Sequence, residues 1–197
     1  MSKIGCYALA PSDVPARWAR AGCKVFKLSD EFGVARDLPA DALILARHYT
    51  EYDPMQEFHA GNTPAEALQH WLFGDDSKQW EQIQANPDPR FIWEGPNEPV
   101  VNDVARMTWY SQFETLRVQV MASSGKRCAV GGFSSGNPTD LALWPHFFPA
   151  LRMAQAKNGV LHLHEYSWPV MQWMTGHDTP TDPRLRGWTT LRYRRVY

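Results

Sequence analysis

Short apolar runs alternate with amphipathic stretches along most of the chain. A bounded apolar run of about 4–8 residues fits a strand of a parallel sheet, and an amphipathic stretch fits a helix that covers the sheet. This alternation is typical of repeated βα units. We therefore predict an α/β fold with six strands, at residues 4–9, 24–28, 42–46, 90–93, 128–132 and 160–164.

The clearest helix is predicted after the fourth strand. Its apolar residues recur at helical spacing and a glycine follows them as a stop signal. The residues that carry this pattern are Trp109, Phe113, Leu116, Val120 and the terminating Gly125.

Two earlier helices are predicted from the residues at their ends. Thr63 and Glu66 form a capping-box pattern, with Pro64 at the first helical position. Ser12 and Gly22 would cap and terminate a shorter helix before the second strand. Helices in these places are ordinary connections between parallel strands.

Charge and composition exclude several classes of partner. The 20 Lys and Arg residues balance 21 Asp and Glu residues to a net charge of -1, so neither nucleic acid nor an anionic membrane is an expected partner. No apolar stretch approaches the roughly 18 residues of a membrane span, and the first residues do not resemble a secretory signal. A cytoplasmic location is the default expectation.

The cysteines predict neither a disulfide framework nor a metal centre. Cys6, Cys23 and Cys128 are odd in number and widely spaced, and no further Cys or His stands beside them at ligand spacing. Reduced, buried thiols fit this pattern. No cofactor or metal is expected.

Residues 91–99 place polar side chains directly after the fourth strand. The segment reads Phe-Ile-Trp-Glu-Gly-Pro-Asn-Glu-Pro, so a Gly-Pro turn delivers Asn97 and Glu98 to the carboxyl end of the strand. Active sites of parallel barrels lie at this end. A carboxylic acid there can protonate a glycosidic oxygen, and the neighbouring amide can hold a sugar hydroxyl. The alternative is a loop that merely caps the next helix.

A second polar motif lies on the sixth strand, in Leu-His-Leu-His-Glu-Tyr at residues 161–166. Alternation along a strand puts His162, His164 and Tyr166 on one face and Glu165 on the other. A barrel histidine and a packed tyrosine with no role in chemistry are the alternative interpretation.

The two motifs, in this order, resemble those of clan A glycoside hydrolases, which are retaining (β/α)₈ enzymes. Asn97-Glu98-Pro99 resembles their acid/base motif on strand four, and His164-X-Tyr166 resembles their strand-six signature. The resemblance implies a (β/α)₈ barrel and a carbohydrate substrate. It implies that Glu98 is the general acid/base, that Asn97 binds the sugar, and that His164 and Tyr166 support the nucleophile and the sugar.

The resemblance also implies a nucleophilic Glu at the end of a seventh strand. No Glu follows Glu165, and six strands occupy the 197 residues, whereas a closed barrel takes about 250. We therefore expect one incomplete barrel domain over residues 1–197, without strands seven and eight, that does not turn over substrate by itself. An open βα array is the alternative.

Further candidate residues flank these motifs. Arg47 and Tyr49 end the third strand, where Arg47 could orient a carboxylate and Tyr49 or His48 could contact sugar. Trp168, in the long loop after strand six, is the best candidate for stacking on a sugar ring. Lys27 on the second strand is expected in a salt bridge.

Two other functions remain open from the sequence. His162 and His164 on one strand, with His48 as a third ligand, could form the site of a metal-dependent hydrolase. No Asp or Glu stands at a recognisable ligand spacing, which weakens this interpretation. A barrel that binds carbohydrate without cleaving it is the non-enzymatic alternative.

Overall fold

The computed structural model describes residues 6–8, 14–75, 77–134 and 137–164. Six strands form one sheet in sequential order, and each pairs in parallel with the next. All six predicted strands are confirmed, with ends that shift by at most two residues. They are β1 (Cys6–Ala8), β2 (Val25–Ser29), β3 (Leu43–Arg47), β4 (Phe91–Glu94), β5 (Arg127–Phe133) and β6 (Val160–Leu163).

Helices connect successive strands, as the alternation predicts, except that a 3₁₀ helix at Phe32–Asp37 joins β2 to β3. A second 3₁₀ turn, Leu141–Leu143, precedes the last helix. No helix in the described ranges has both the length and the apolar character needed to cross a bilayer. The helices are α1 (Val14–Arg20), α2 (Pro54–His59), α3 (Pro64–Phe73), α4 (Gln79–Ala85), α5 (Val104–Ser123) and α6 (Trp144–Ala156).

The predicted helix signals are confirmed where the structure describes them. Thr63 accepts a hydrogen bond from the Glu66 backbone, and the Glu66 carboxylate accepts one from the Thr63 backbone at 2.8 Å, which completes the capping box. Gly22 and Gly125 follow α1 and α5 with positive φ angles of 90° and 72°. The proposed cap Ser12 lies outside the described residues.

The two faces of the sheet differ in chemistry. The outer face carries fully buried apolar side chains such as Phe26, Ile44 and Val130, which join Phe113 of α5 in one hydrophobic cluster. Burial of this face beneath the helices is the main source of stability for such a layer. The opposite, inner face carries ionisable side chains: Lys27, Arg47, Glu94, His162 and His164.

The sheet is strongly curled. Strands β2 and β6 are four positions apart in it, which in a flat sheet means four spacings of about 4.8 Å, or about 19 Å. Nevertheless Nζ of Lys27 lies only 3.3 Å from Nε2 of His164 at the end of β6. The described residues therefore form an all-parallel α/β half-barrel whose inner face is concave.

A buried ion pair on α5 packs against the paired strands β4 and β5. Arg117 of α5 is paired with Glu114 at 2.7 Å, and both side chains are fully buried. The guanidinium donates to the backbone oxygens of Trp93 at 3.2 Å and Ala129 at 2.7 Å, so it bridges the two strands. Gly95 lies next to it, and a Cβ there would lie 2.7 Å from Oε1 of Glu114 and would force the pair to shift. The pair thus supports the backbone that leads into the Asn97-Glu98 turn.

Candidate active site

The turn after β4 holds Glu98 in an unusual backbone conformation. Its φ of 50° lies in the left-handed region, which is rare for residues other than glycine and is often found at functional sites. The Glu98 backbone N–H donates to the Gly132 oxygen at 3.1 Å. Gly132 also has a positive φ, of 61°, and a Cβ there would lie 2.9 Å from the Pro96 oxygen. Close packing of two backbones therefore fixes the turn.

The Glu98 side chain points to His164. Its Oε1 lies 2.7 Å from Nδ1 of His164, with 31% of the Glu98 side chain and 12% of the His164 side chain exposed. The His164 backbone N–H donates to the Phe133 oxygen at 2.9 Å and so continues the β5–β6 pairing by one residue. The two residues that carry the strand-four and strand-six motifs are therefore in direct contact.

Lys27 extends this contact to a second carboxylate. Its Nζ lies 3.3 Å from Nε2 of His164 and 2.9 Å from Oε2 of Glu94, whose side chain is 2% exposed. The salt bridge expected of Lys27 is confirmed. The inner face thus contains a continuous chain of four side chains, in the order Glu94, Lys27, His164, Glu98.

Burial decides the charge of His164. Loss of hydration, and then the charge of Lys27, lower the pKa of His164 to about 4 against the opposing hydrogen bond and charge of Glu98. The imidazole is therefore neutral near pH 7. A neutral ring carries one N–H, so one nitrogen donates while the other accepts.

Burial also acts on the pair beneath the imidazole. It lowers the pKa of Lys27, although the Glu94 carboxylate opposes this. It raises the pKa of Glu94, against the attraction of Lys27. Both shifts reduce the tendency of the pair to be charged, because a low-dielectric surrounding disfavours ions.

His162 lies on the same face, as predicted. Its ring centroid is 4.7 Å from that of His164. Nε2 of His162 is 3.3 Å from Oε1 of Glu94 but is not aligned for a hydrogen bond. Oε1 of Glu94 and Nδ1 of His162 are both buried without a hydrogen-bond partner among the described residues. Burial, and then Lys27, lower the pKa of His162 well below its usual value.

Asn97 is held by Arg47. The Arg47 guanidinium donates to Oδ1 of Asn97 at 2.8 Å, which fixes the orientation of the amide. The same guanidinium lies 5.2 Å from the centre of the Tyr49 ring, and Tyr49 is 51% exposed. Asn97, Arg47 and Tyr49, all predicted to bind substrate, are therefore adjacent. The partner of Arg47 in this group is the amide of Asn97, the residue before Glu98.

The metal interpretation would place His48 beside His162 and His164, but in the structure His48 contacts Asp30. Its Nδ1 lies 2.5 Å from the Asp30 carboxylate. The third group whose ligand atom lies near those of His162 and His164 is Glu94, with all three atoms within 4.8 Å of one another. Sequence spacing did not indicate Glu94. A signal existed, since Glu94 is the one charged residue in the otherwise apolar strand β4.

Tyr166, Trp168 and Glu165 lie outside the described residues. The roles given to Tyr166 and Trp168 remain predictions. Within the described ranges, the structure brings together Glu98 and His164, and separately Asn97, Arg47 and Tyr49.

Comparisons of the chain with protein-family models, with curated proteins and with solved structures found no match. The contacts and charges of the inner face are therefore the basis on which a function is proposed.

Proposed function

We propose that this chain is the catalytic part of a retaining glycoside hydrolase in which Glu98 is the general acid/base. The observation that carries the proposal is the 2.7 Å contact between Glu98 and His164 at the carboxyl end of β4. A carboxyl group in contact with a neutral imidazole, at the end of a parallel strand where ligands bind, is suited to proton transfer.

The His164 ring can serve both protonation states of Glu98. When Glu98 is a carboxylic acid with its proton on Oε2, the ring can donate from Nδ1 to Oε1, and the proton stays available for the glycosidic oxygen. After that proton has gone, the ring can donate from Nδ1 to the carboxylate, and Nε2 can accept from the Lys27 ammonium in both states. Because the pKa of His164 is lowered to about 4, the ring stays neutral and remains able to do both.

Asn97 is proposed to bind a sugar hydroxyl beside the scissile bond. Arg47 holds the amide oxygen, so the amide nitrogen is directed elsewhere as a donor. Tyr49 is exposed at the same place and offers a ring face for the sugar. Trp168 and Tyr166 keep their proposed roles in sugar binding.

The proposed reaction is a double displacement. Glu98 protonates the leaving oxygen while a second carboxylate attacks the anomeric carbon, and Glu98 then takes a proton from water. The two carboxyl groups must be about 5–5.5 Å apart. Glu94 is unsuited to be the nucleophile, since it is buried and paired with Lys27. The proposal therefore assigns the acid/base alone.

The architecture proposed with this function is a (β/α)₈ barrel. Sequential strand order, parallel pairing and the curl that brings β2 to β6 support it. The described strands would be the first six of the eight.

An affinity label tests the assignment without requiring turnover. The purified protein is treated with a panel of N-bromoacetyl glycosylamines of gluco, galacto, manno and xylo configuration, and the modified residue is located by peptide mass spectrometry. The sugar delivers the bromoacetyl group to the residue that contacts the glycosidic atom. We expect one configuration to alkylate Glu98, and excess free sugar of that configuration to protect it.

Bromoacetamide, which lacks the sugar, is the matched reagent and should leave Glu98 unmodified at the same concentration. Exposed Glu81 on α4 reports non-specific alkylation. Failure of every sugar reagent to modify Glu98 would overturn the assignment. Sugar binding that Asn97→Ala abolishes, without alkylation of Glu98, would support the carbohydrate-binding alternative instead.

A metal-dependent hydrolase is a second candidate, favoured by one observation. Ligand atoms of Glu94, His162 and His164 lie within 4.8 Å of one another. Against it, Nζ of Lys27 lies within 2.9 Å of Glu94 and 3.3 Å of His164, where its positive charge would repel a divalent ion. Zinc titration followed by elemental analysis tests this candidate, and stoichiometric zinc that His162→Ala removes would establish it.

A further inference from the structure

Lys27 has no part in the proposed hydrolysis, although it lies at the centre of the inner face. Its amine contacts Glu94 on one side and His164 on the other. The side chain is 15% exposed, so it is largely but not completely withdrawn from water. A buried amine beside a base is a common arrangement for nucleophilic chemistry.

The contacts of Lys27 follow the order of a nucleophile, a base and an orienting acid. Nζ of Lys27 is 3.3 Å from Nε2 of His164, and the other ring nitrogen is 2.7 Å from the Glu98 carboxylate. A nucleophile within reach of a base that a third group orients is the geometric signature of an activated nucleophile. In this site the nucleophile is an amine.

The charged surroundings keep the amine from being an ordinary surface lysine. Burial lowers the pKa of Lys27, and Arg47 lowers it further, while Glu94 and Glu98 oppose the shift. The nearby His162 and His164 are both neutral near pH 7, because burial lowers the pKa of each. The amine form is therefore more accessible at Lys27 than at an exposed lysine.

We propose that Lys27 is the nucleophile of a second activity of this site, in which it forms a Schiff base with a small aldehyde or ketone. The site that carries it consists of Lys27, His164, Glu98 and Glu94. The proposal requires only the geometry of these four residues and does not depend on hydrolysis of a sugar.

The step is balanced by the groups already in place. Nε2 of His164 takes one proton from the Lys27 ammonium, and the freed electron pair attacks the carbonyl carbon. The carbonyl π electrons pass to oxygen, which receives a second proton from Nζ to give a carbinolamine. His164 returns its proton to that hydroxyl, which leaves as water as the C=N bond forms. One positive charge enters with the ammonium and one remains on the iminium.

Two carboxylates favour this sequence. Glu98 contacts Nδ1 of His164 and stabilises the ring while it holds the transferred proton. Glu94 lies 2.9 Å from Nζ, so the iminium cation keeps the ion partner that the ammonium had. The ammonium at the start and the iminium at the end therefore both have Glu94 as an ion partner, and the imidazolium between them has Glu98.

The limited exposure of Lys27 selects the size of the carbonyl compound. Only 15% of the side chain is exposed, and its nitrogen contacts Glu94 on one side and His164 on the other, which favours a compound of a few carbon atoms over a polymer end. The Glu98 carboxylate, whose side chain is 31% exposed, can accept a hydrogen bond from a substrate hydroxyl, which favours a hydroxylated compound. A short hydroxyaldehyde matches both requirements.

Reductive trapping tests the proposal. The whole chain is incubated near pH 7 with glycolaldehyde and sodium cyanoborohydride, which reduces an iminium to a stable hydroxyethyl amine. Peptide mass spectrometry over a time course gives the labelling rate of each lysine. We expect Lys27 to be labelled at least about tenfold faster than Lys24, because the Lys27 amine contacts the His164 imidazole, whereas the Lys24 amine contacts the weaker base Asp41.

Lys24 is the matched control, three positions away, with 35% of its side chain exposed and paired with Asp41 at 2.7 Å. The Lys24→Met variant should leave Lys27 labelling unchanged, and Lys27→Met should leave Lys24 labelling unchanged. His164→Gln should slow labelling of Lys27 by about 100-fold and leave Lys24 unaffected. The labelling rates of Lys27 and Lys24 in the wild-type protein test the proposal even if a variant fails to fold.

Labelling of Lys27 at a rate equal to or below that of Lys24 would overturn the proposal. Equal rates in wild type and folded His164→Gln would overturn the role of the imidazole, and with it the activated amine. Since the label is located at Lys27, neither result bears on alkylation of Glu98 by a sugar reagent. The two proposals therefore fail separately.

Discussion

The Lys27 amine and the His164 imidazole are 3.3 Å apart, although they belong to strands at positions two and six of the sheet. The two side chains can meet only because the sheet is strongly curled. It also places a basic group next to a buried ring, which disfavours a second positive charge there. Burial is the first cause of the neutral state of His164, and the curvature of the sheet adds the charge of Lys27 to it.

His164 should make the stability of the protein fall as the pH falls. Burial lowers its pKa from an ordinary 6.5 to about 4. Between these values the unfolded chain binds the proton and the folded chain does not, so the free energy of unfolding decreases from about pH 6.5 downward and levels off below about pH 4. The expected loss is about 3 kcal/mol.

The measurement is urea unfolding of wild type and His164→Asn from pH 7 to pH 4. Glu94 has the opposite sign, because its raised pKa adds stability at low pH that is lost as the pH rises. It is present in both proteins and largely cancels in the difference. A difference between the two proteins that does not change with pH would show that His164 titrates normally.

The backbone at Glu98 should prefer glycine to alanine. Both Glu98→Gly and Glu98→Ala remove the hydrogen bond to His164, so they differ in the left-handed φ of 50° that only glycine adopts freely. We expect the glycine variant to be more stable by about 1 kcal/mol. The same pair of substitutions at exposed Glu81 within α4 should show the reverse order. Equal stability at position 98 would mean that the turn relaxes.

Gly132 should tolerate a methyl group less well than Gly125. Both have positive φ, but a Cβ at Gly125 meets nothing within 4 Å, whereas one at Gly132 lies 2.9 Å from the Pro96 oxygen. We expect Gly125→Ala to cost about 1 kcal/mol and Gly132→Ala about 2–3 kcal/mol, because the second also displaces the turn. Thermal and urea unfolding measure both. Equal costs would show that the turn is not fixed by β5.

The buried Glu114–Arg117 pair should behave as a unit. Arg117→Met leaves the Glu114 carboxylate without its cation in a fully buried place, at a cost of about 3–5 kcal/mol. The double variant Glu114→Gln, Arg117→Met should recover a large part of that loss. A double-mutant cycle from urea unfolding measures the coupling. Additive effects of the two substitutions would contradict the pairing.

Local signals predicted the secondary structure well. The strands are short apolar runs bounded by turns, and the capping box at Thr63 is a contact between neighbours in sequence. Such features depend on residues that lie close along the chain. The position of Glu98 at the end of β4 followed from the same local reasoning.

The inner face could be predicted only in part. Alternation placed His162 and His164 together, but the contact of His164 with Lys27 depends on the curl of the whole sheet. Glu94 and Arg117 were not identified, because a charged residue in an apolar segment does not reveal its partner in another element. Long-range ion pairs of this kind require coordinates.

The Arg117 guanidinium, which bridges β4 and β5, couples helix α5 to the carboxyl end of β4. The two strands pair with each other at this point, and both are also tied there to a side chain of α5. A shift or rotation of that helix is therefore transmitted to Gly95 and onward to the turn that holds Glu98. Substitutions on the buried side of α5 should therefore change the position of Glu98, although they lie far from any ligand.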